Sequence, residues 1–358
     1  MMQKEKIFIV GTAGAGESTV DILKEKENAI FIPYSNLFSN NKKIATGANV
    51  YFGFPYELWD NVVEVKDVLY GCEDYGDAIR GLVSKLENQL FTRFPGALYV
   101  NQPSSIILER DKKLAKKIVQ EQGLLVAEEL PKDVDTVLNS IYSEEPVYVK
   151  ARYGSMGKGI SYFSEKKWTT NFNYNPKKGT INNHYVDTNW KEIDITGAID
   201  FLKKILEHDV IVEKAILNPT VNGLKFDYRV NSVFGFTHPD LSHARMTDNS
   251  SITNMSQGGK YMSFEDIQKI VPLSSLEQAL KLIGDASMAA GFNLSGGDVL
   301  FKGKDYKPMF LELNSFPGLE ISSELDRKVI DKFYHTWTSG FKNERHRKSL
   351  QDFLFKPC

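Results

Sequence analysis

The chain has 358 residues, of which 42% are hydrophobic and 25% charged, with a formal net charge of −2. Those values suit a globular enzyme of two or three lobes and give no overall cationic field for nucleic acid or an anionic membrane. Two cysteines, Cys72 and Cys358, cannot build a disulfide framework, and no run of about eighteen apolar residues offers a membrane span. The apolar run Ile7-Phe8-Ile9-Val10 is too short for the core of a secretion signal. The cysteine of Lys356-Pro357-Cys358 is the last residue, so it forms no prenylation box. A reducing, cytoplasmic setting is expected.

In chain order, residues 6–10 predict a buried strand, followed by a glycine-rich turn, a short helix and a second strand at 29–33. Ile79, Leu82, Val83, Leu86 and Leu90 recur at helical spacing, so 76–94 predicts an amphipathic helix. A strand at 97–100 closes a parallel α/β lobe over residues 1–105. Residues 111–122 predict a helix with Leu114, Ile118 and Val119 inward and Gly123 just past its end. Pro131 and the acidic run after it mark the link into a new lobe. Strands at 147–150 and 160–163 flank a glycine loop. Residues 164–195 are polar, rich in Asn, Thr and aromatics, and lack a helical period; they predict an inserted hairpin or ordered flap. A helix at 196–208 follows, then strands at 210–216, 226–234, 298–302 and 309–313 and a long helix at 275–290. The basic stretch 342–348 reads as a solvated helix, and no internal repeat is evident.

Three constellations carry chemistry. Gly154, Gly157 and Gly159, with Ser155, Met156 and Lys158 between them, form a backbone free to fold its N–H groups onto phosphate oxygens. Lys150 on the preceding strand aims an ammonium at the same place; the alternative is a hairpin turn with surface charge. Glu312 and Asn314 lie two apart on a strand and share a face, and a hairpin through 302–305 brings Asp298, expected at the start of the preceding strand, beside Glu312. Two carboxylates and an amide oxygen suit Mg²⁺; the alternative is an exposed hairpin with scattered acids. Arg229, on a strand, and Arg245 offer guanidinium groups for carboxylate or phosphate; for Arg229 an ion pair with Asp227, or an Arg–Glu pair, is an equal alternative. The loop from Asn254 to Gly259 is able to close over such a site.

These blocks, in this order, resemble the ATP-grasp superfamily, nearest the branch of the ribosomal-protein S6 glutamate ligases and glutathione synthetases. The likeness covers about residues 101–330 and rests on Asn101-Gln102-Pro103-Ser104-Ser105 with Arg110-Asp111-Lys112; Val149-Lys150 with 154–159; Val212-Glu213-Lys214; Phe226-Asp227-Tyr228-Arg229-Val230; Asn254 with Gly258-Gly259; and Asp298 with Glu312-Leu313-Asn314-Ser315-Phe316-Pro317-Gly318. It implies an α/β pre-grasp lobe (1–105) and a grasp domain (106–345) of two α+β lobes gripping ATP. Within the grasp domain it implies a lid (146–212, carrying the 164–195 insertion) and a catalytic subdomain (213–345). By position, Lys112 and Lys150 would contact ATP phosphates beneath the 154–159 loop, and Glu213 with the backbone of Lys214, Ala215 and Ile216 would read adenine. Asn254, in the closing loop, would bind the nucleotide, and Arg229 and Arg245 would be catalytic, Arg245 facing the acylphosphate. Asp298, Glu312 and Asn314 would hold one or two Mg²⁺, with Mn²⁺ as a substitute. The implied activity joins a small-molecule or peptide carboxylate to an amine with release of ADP and phosphate. The rival readings are a kinase acting on a hydroxyl and a non-catalytic nucleotide-binding regulator. No nucleic acid or membrane partner is expected, and a homodimer is the commonest assembly for such a chain.

Two departures and a decoy stand out. Ala151 follows Lys150 where many relatives have proline, and the 164–195 insertion exceeds the usual connection. Gly11-Thr12-Ala13-Gly14-Ala15-Gly16-Glu17-Ser18 has P-loop spacing, but Glu17 replaces the essential lysine and would repel phosphate. The six histidines show no metal spacing, and neither cysteine has the surroundings of a nucleophile. The aromatic stretches 51–56 and 168–185 read as core or flap packing, or as the lining of a peptide groove.

Overall fold

The computed structural model describes residues 6–12, 18–56, 58–59, 69–72, 74–181, 191–220, 223–247, 253, 260–319 and 324–338. The first sheet is parallel and ordered β2-β1-β3-β4, from β1 (Ile7–Gly11), β2 (Ala29–Pro33), β3 (Asn49–Phe52) and β4 (Leu98–Val100). Both faces are covered, which is why its strands read as apolar runs rather than alternations. Phe8, Val10, Val50 and Phe52 lie in one core with Ile79, Leu82, Val83, Leu86 and Leu90 of the helix Tyr75–Arg93. Ile7, Ile9 and Tyr51 lie in another with Val329, Phe333 and Trp337 of the helix Glu324–Thr338. The last helix of the described chain therefore returns to the first lobe, a contact no local pattern announces.

The second sheet is antiparallel, ordered β10-β7-β6-β5-β11, from β5 (Val147–Ala151), β6 (Ile160–Phe163), β7 (Trp168–Thr170), β10 (Ile193–Asp194) and β11 (Val210–Lys214). The insertion extends this sheet through β7 and β10 and adds a small ribbon of β8 (Tyr174–Asn175) and β9 (Thr180–Ile181). Residues 182–190 of the insertion lie outside the described residues. The helix Ile199–Glu207 buries Phe201, Leu202, Ile205 and Leu206 beneath the sheet. At about 1.5–3 kcal/mol per fully buried large apolar side chain, this stripe holds the helix to the lobe.

The third sheet is antiparallel and ordered β14-β13-β12-β15-β16: β12 (Lys225–Val233), β13 (Phe236–Thr247), β14 (Lys260–Met262), β15 (Leu294–Lys302) and β16 (Lys307–Asn314). The helix Leu273–Ala290 packs on it through Leu276, Ala279, Ile283 and Ala286 and stops at Gly291, whose left-handed φ of 71° ends the helical run. Two expectations change here. Asp298 is not at the start of its strand but in the middle, because β15 begins at Leu294. β13 has no counterpart among the expected elements; Pro239 interrupts its pattern, and a proline demotes a strand reading.

Candidate active site

The site lies where the second and third sheets face each other across the helix Lys112–Glu121. That helix is held at its first turn from two directions. The Asp111 carboxylate accepts from the Leu114 N–H as an N-cap. It also takes a two-pronged pair from Arg152 just after β5, Nε at 2.9 Å and Nη2 at 2.8 Å. Lys112 and Lys116, four apart, therefore rise on one face of a clamped helix.

A cleft of about 240 Å³ opens there, lined among others by Lys112, Lys116, Lys150, Glu213, Asp298 and Glu312. Its far end is more apolar, with Tyr148, Ile160, Tyr162, Leu217 and Leu300 beside the strand exit at 214–216. The Tyr148 and Tyr162 rings sit 5.0 Å apart. The Lys150 and Lys225 ammonium groups each lie 5.2 Å from one of these rings, so this end combines apolar surface with cations. Lys116 was not among the lysines expected to matter, although its i+4 spacing from Lys112 was visible. The Glu213 carboxylate is 2% exposed and bridges Lys116 and the Lys150 Nζ, the latter at 2.9 Å. Burial would raise this acid, but the two ammonium groups outweigh it and hold it down at about 2. The Lys214 side chain leaves the cleft for Glu128 and Glu145, so the backbone after β11 forms the wall.

The glycine loop divides its labour. Gly157 lines the main cleft, whereas Gly154, Ser155 and Met156 line a smaller pocket beyond Glu312. Lys112 Nζ donates to the Gly154 carbonyl, tying loop to helix. Gly159, at φ 72°, packs so closely on Ala151 that a Cβ would approach its methyl to 2.8 Å. The Lys158 ammonium lies 5.9 Å from the Tyr70 ring, and the Tyr70 hydroxyl is 3.1 Å from Ser155 Oγ. The first lobe thus touches the loop directly.

The acids and arginines meet on the third sheet. Asp298 and Glu312 are directly opposed on β15 and β16, and the register slips by one residue between Asp298 and Val299. That bulge leaves both Leu311 and Glu312 on the cleft wall, although neighbours on a regular strand face opposite ways. Asp298 receives Arg229 through both prongs and Arg245 Nη2 at 2.8 Å; Arg245 also grips Asp227 at 2.8 and 2.6 Å. Arg229 stands behind Asp298 and does not line the cleft, while Arg245 and Asp227 do. Burial disfavours the Asp298 charge, but the two guanidinium groups hold its carboxyl far below the usual range. Glu312 behaves oppositely: burial first, then the charge of Asp298, raises its pKa. Two buried carboxylates with one of them left costly are the electrostatic mark of a place that accepts a cation. Asn314 donates Nδ2 to the Gly296 carbonyl at 3.2 Å, which leaves Oδ1 for a ligand. Among the described residues no three His, Cys, Asp or Glu groups converge, so a metal here takes two carboxylates, an amide and oxygens from elsewhere. His243 lies beside the arginines, stacked on Tyr261 at 5.2 Å; burial and then the two arginines push it down to about 3, so it is neutral. Asn254 lies outside the described residues; its neighbour Thr253 donates its hydroxyl to Asp227 and lines the cleft.

A family model described as YheC/D-like ATP-grasp matches residues 113–290, a span that contains Lys116, Lys150, Glu213, Arg229 and Arg245. The chain is a member of the ATP-grasp superfamily. Solved ATP-grasp structures align along nearly its whole length at low identity. The ligase PsnB, complexed with precursor peptide PsnA2 and AMPPNP, has a TM-score of 0.55 at 15% identity and covers 93% of this chain and 98% of its own. A Chryseobacterium gregarium RiPP-associated ATP-grasp ligase, in complex with ADP and a leader and core peptide, has a TM-score of 0.53 at 14% identity, covering 95% and 98%. The D-alanine–D-alanine ligase from Bacillus anthracis, complexed with ATP, has a TM-score of 0.51 at 15% identity, covering 98% and 99%. No curated protein sequence matches. In this ATP-grasp chain no helix among the described residues is long and apolar enough to cross a membrane.

Proposed function

We propose that the protein is an ATP- and Mg²⁺-dependent ligase that joins a carboxylate to an amine through an acylphosphate. One observation carries the reading: three lysines, from the clamped helix and from β5, share a single cleft with the acid pair of β15 and β16. ATP would lie with its base between Tyr148, Tyr162 and the 214–216 backbone and its phosphates toward Lys112, Lys116 and Lys150. Asp298, Glu312 and Asn314 would hold Mg²⁺, which neutralises phosphate charge when bound. Arg245 would face the charge that grows on the transferring group. The substrate carboxylate attacks the γ-phosphorus, ADP leaves, and the amine then displaces phosphate from the acylphosphate as it loses a proton. The protein's own contribution is positioning and fixed charge. A peptide is the proposed acid or amine, since two of the similar structures hold peptides, and a cytoplasmic setting is proposed for a chain with only two cysteines. ADP and free phosphate should appear in step with amide. AMP with pyrophosphate rules the scheme out, and phosphate retained on the product indicates a kinase.

Lys112 adds a pH signature. Burial pushes its ammonium down to about 8, with Glu312 opposing and Lys150 reinforcing that shift. Triphosphate would stabilise the charged form, so binding should take up a proton near pH 8. ATP affinity is then full below pH 8 and falls as pH rises above it, at most about tenfold per unit. Calorimetry in two buffers of different ionisation enthalpy measures this; Lys112→Arg should abolish the uptake.

A further inference from the structure

Arg110 is the last residue of the helix Ser105–Arg110, one step before the clamp residue Asp111. Its side chain is only 11% exposed. The guanidinium lies over two rings of the first lobe, 4.8 Å from the centre of Phe54 and 5.2 Å from that of Trp59. Such stacking engages the faces of the group and leaves its N–H edge for an acceptor in the plane. The structure supplies that edge poorly. Arg110 Nε is buried with no hydrogen-bond partner. The nearest carboxylate, Glu109, stands 3.6 Å from Nη2, beyond hydrogen-bond distance. Glu109 turns its Oε1 to Arg110 as a loose ion pair, while its Oε2 accepts from the N–H and hydroxyl of Ser315 and the N–H of Phe316, at 2.8, 2.8 and 3.0 Å.

The neighbouring space suits a small anion. Arg110 shares a pocket of about 30 Å³ with Lys112, Ser155 and Asn314 and with two acids, Glu312 and the Glu109 whose Oε2 is already held by Ser315 and Phe316. One water needs roughly 10–15 Å³ on this measure, so the pocket takes a group of two or three heavy atoms. Lys112 and Glu312 also line the ATP cleft, so the pocket opens onto the region assigned to phosphate and metal, on the side away from the tyrosines. A buried arginine normally has its N–H groups satisfied, and a carboxylate matches its fork with two parallel bonds.

We propose that this pocket receives the carboxylate of the acid substrate, with Arg110 as its two-pronged anchor and Lys112 as the second cation. The subsite rests on the ligase reading and deepens it: Arg110, held over Phe54 and Trp59 of the first lobe, sets the affinity for the acid.

The test uses the full chain with Mg²⁺ and AMPPNP. Sodium acetate is titrated against acetamide, read by tryptophan emission and assigned with a Trp59→Phe control. The expected result is a saturable response to acetate alone. Arg110→Lys should weaken it at least tenfold and Arg110→Gln should remove it, with AMPPNP affinity unchanged within about threefold. An equal response to acetamide, or an acetate response retained in Arg110→Gln, overturns the proposal. Should Arg110→Gln fail to fold, undiminished acetate affinity in Arg110→Lys has the same force. Acetate is also titrated without nucleotide, so the subsite is read in either case. Loss of Mg²⁺–AMPPNP binding by the unaltered protein sinks the ligase reading; nucleotide binding with no acetate response sinks only the subsite.

Discussion

Glu312→Gln should abolish ATP turnover, by about a thousandfold or more, while leaving the ligand-free protein as stable as before or more so, by up to about 1–2 kcal/mol. The two halves have one cause. Burial and the adjacent Asp298 charge raise the Glu312 carboxyl, so its ionised form is a cost to the empty fold. Removing the charge relieves that cost and removes the group proposed to hold Mg²⁺. Asp298→Asn should behave differently. It deprives Arg229 and Arg245 of a shared buried partner, so stability and turnover should fall together. Urea unfolding beside an ADP-release assay separates the cases. A Glu312→Gln protein that turns over ATP normally, or one several kcal/mol less stable, contradicts the assignment.

Glu213→Gln should cost about 3 kcal/mol in the ligand-free protein. The carboxylate is the shared buried counter-ion of Lys116 and Lys150, and stranding such charges costs roughly 3–5 kcal/mol. Its pKa, held at about 2 against an ordinary 4.5, corresponds independently to roughly 3 kcal/mol. The sign follows from the depressed acid. This stabilisation is present above pH 4.5 and is lost as pH falls through 2. Lys116, whose pKa burial lowers, opposes part of it by shedding its proton in the variant. Urea midpoints at pH 7 and pH 3 provide the check: the gap between the two proteins should shrink at the lower pH. An equal gap at both values would show that Glu213 acts by shape rather than charge.

Much of the site was legible because its signals are local. Lys150 and the glycines need only a strand and a turn. Glu312 and Asn314 need only the two-residue period of a strand. The helix with Lys112 announces itself by apolar spacing and an aspartate at its start. What stayed hidden depends on partners distant in sequence. Nothing within its own helix marks Lys116; its partner Glu213 lies 97 residues on. Arg229 and Arg245 looked alike, yet the registry of β12 against β13 and β15 sets one behind Asp298 and the other on the cleft wall.

Short windows of the chain were enough for the element types over most of its length, the superfamily likeness and the identities of most groups proposed to act. These follow from periodicity, turn chemistry and charge within short windows. Which ionised groups face one another depends on how the three sheets pack. A buried carboxylate is a metal ligand, a lysine clasp or an arginine's counter-ion according to what lies within about 4 Å of it, and side-chain spacing along one strand carries no information about that.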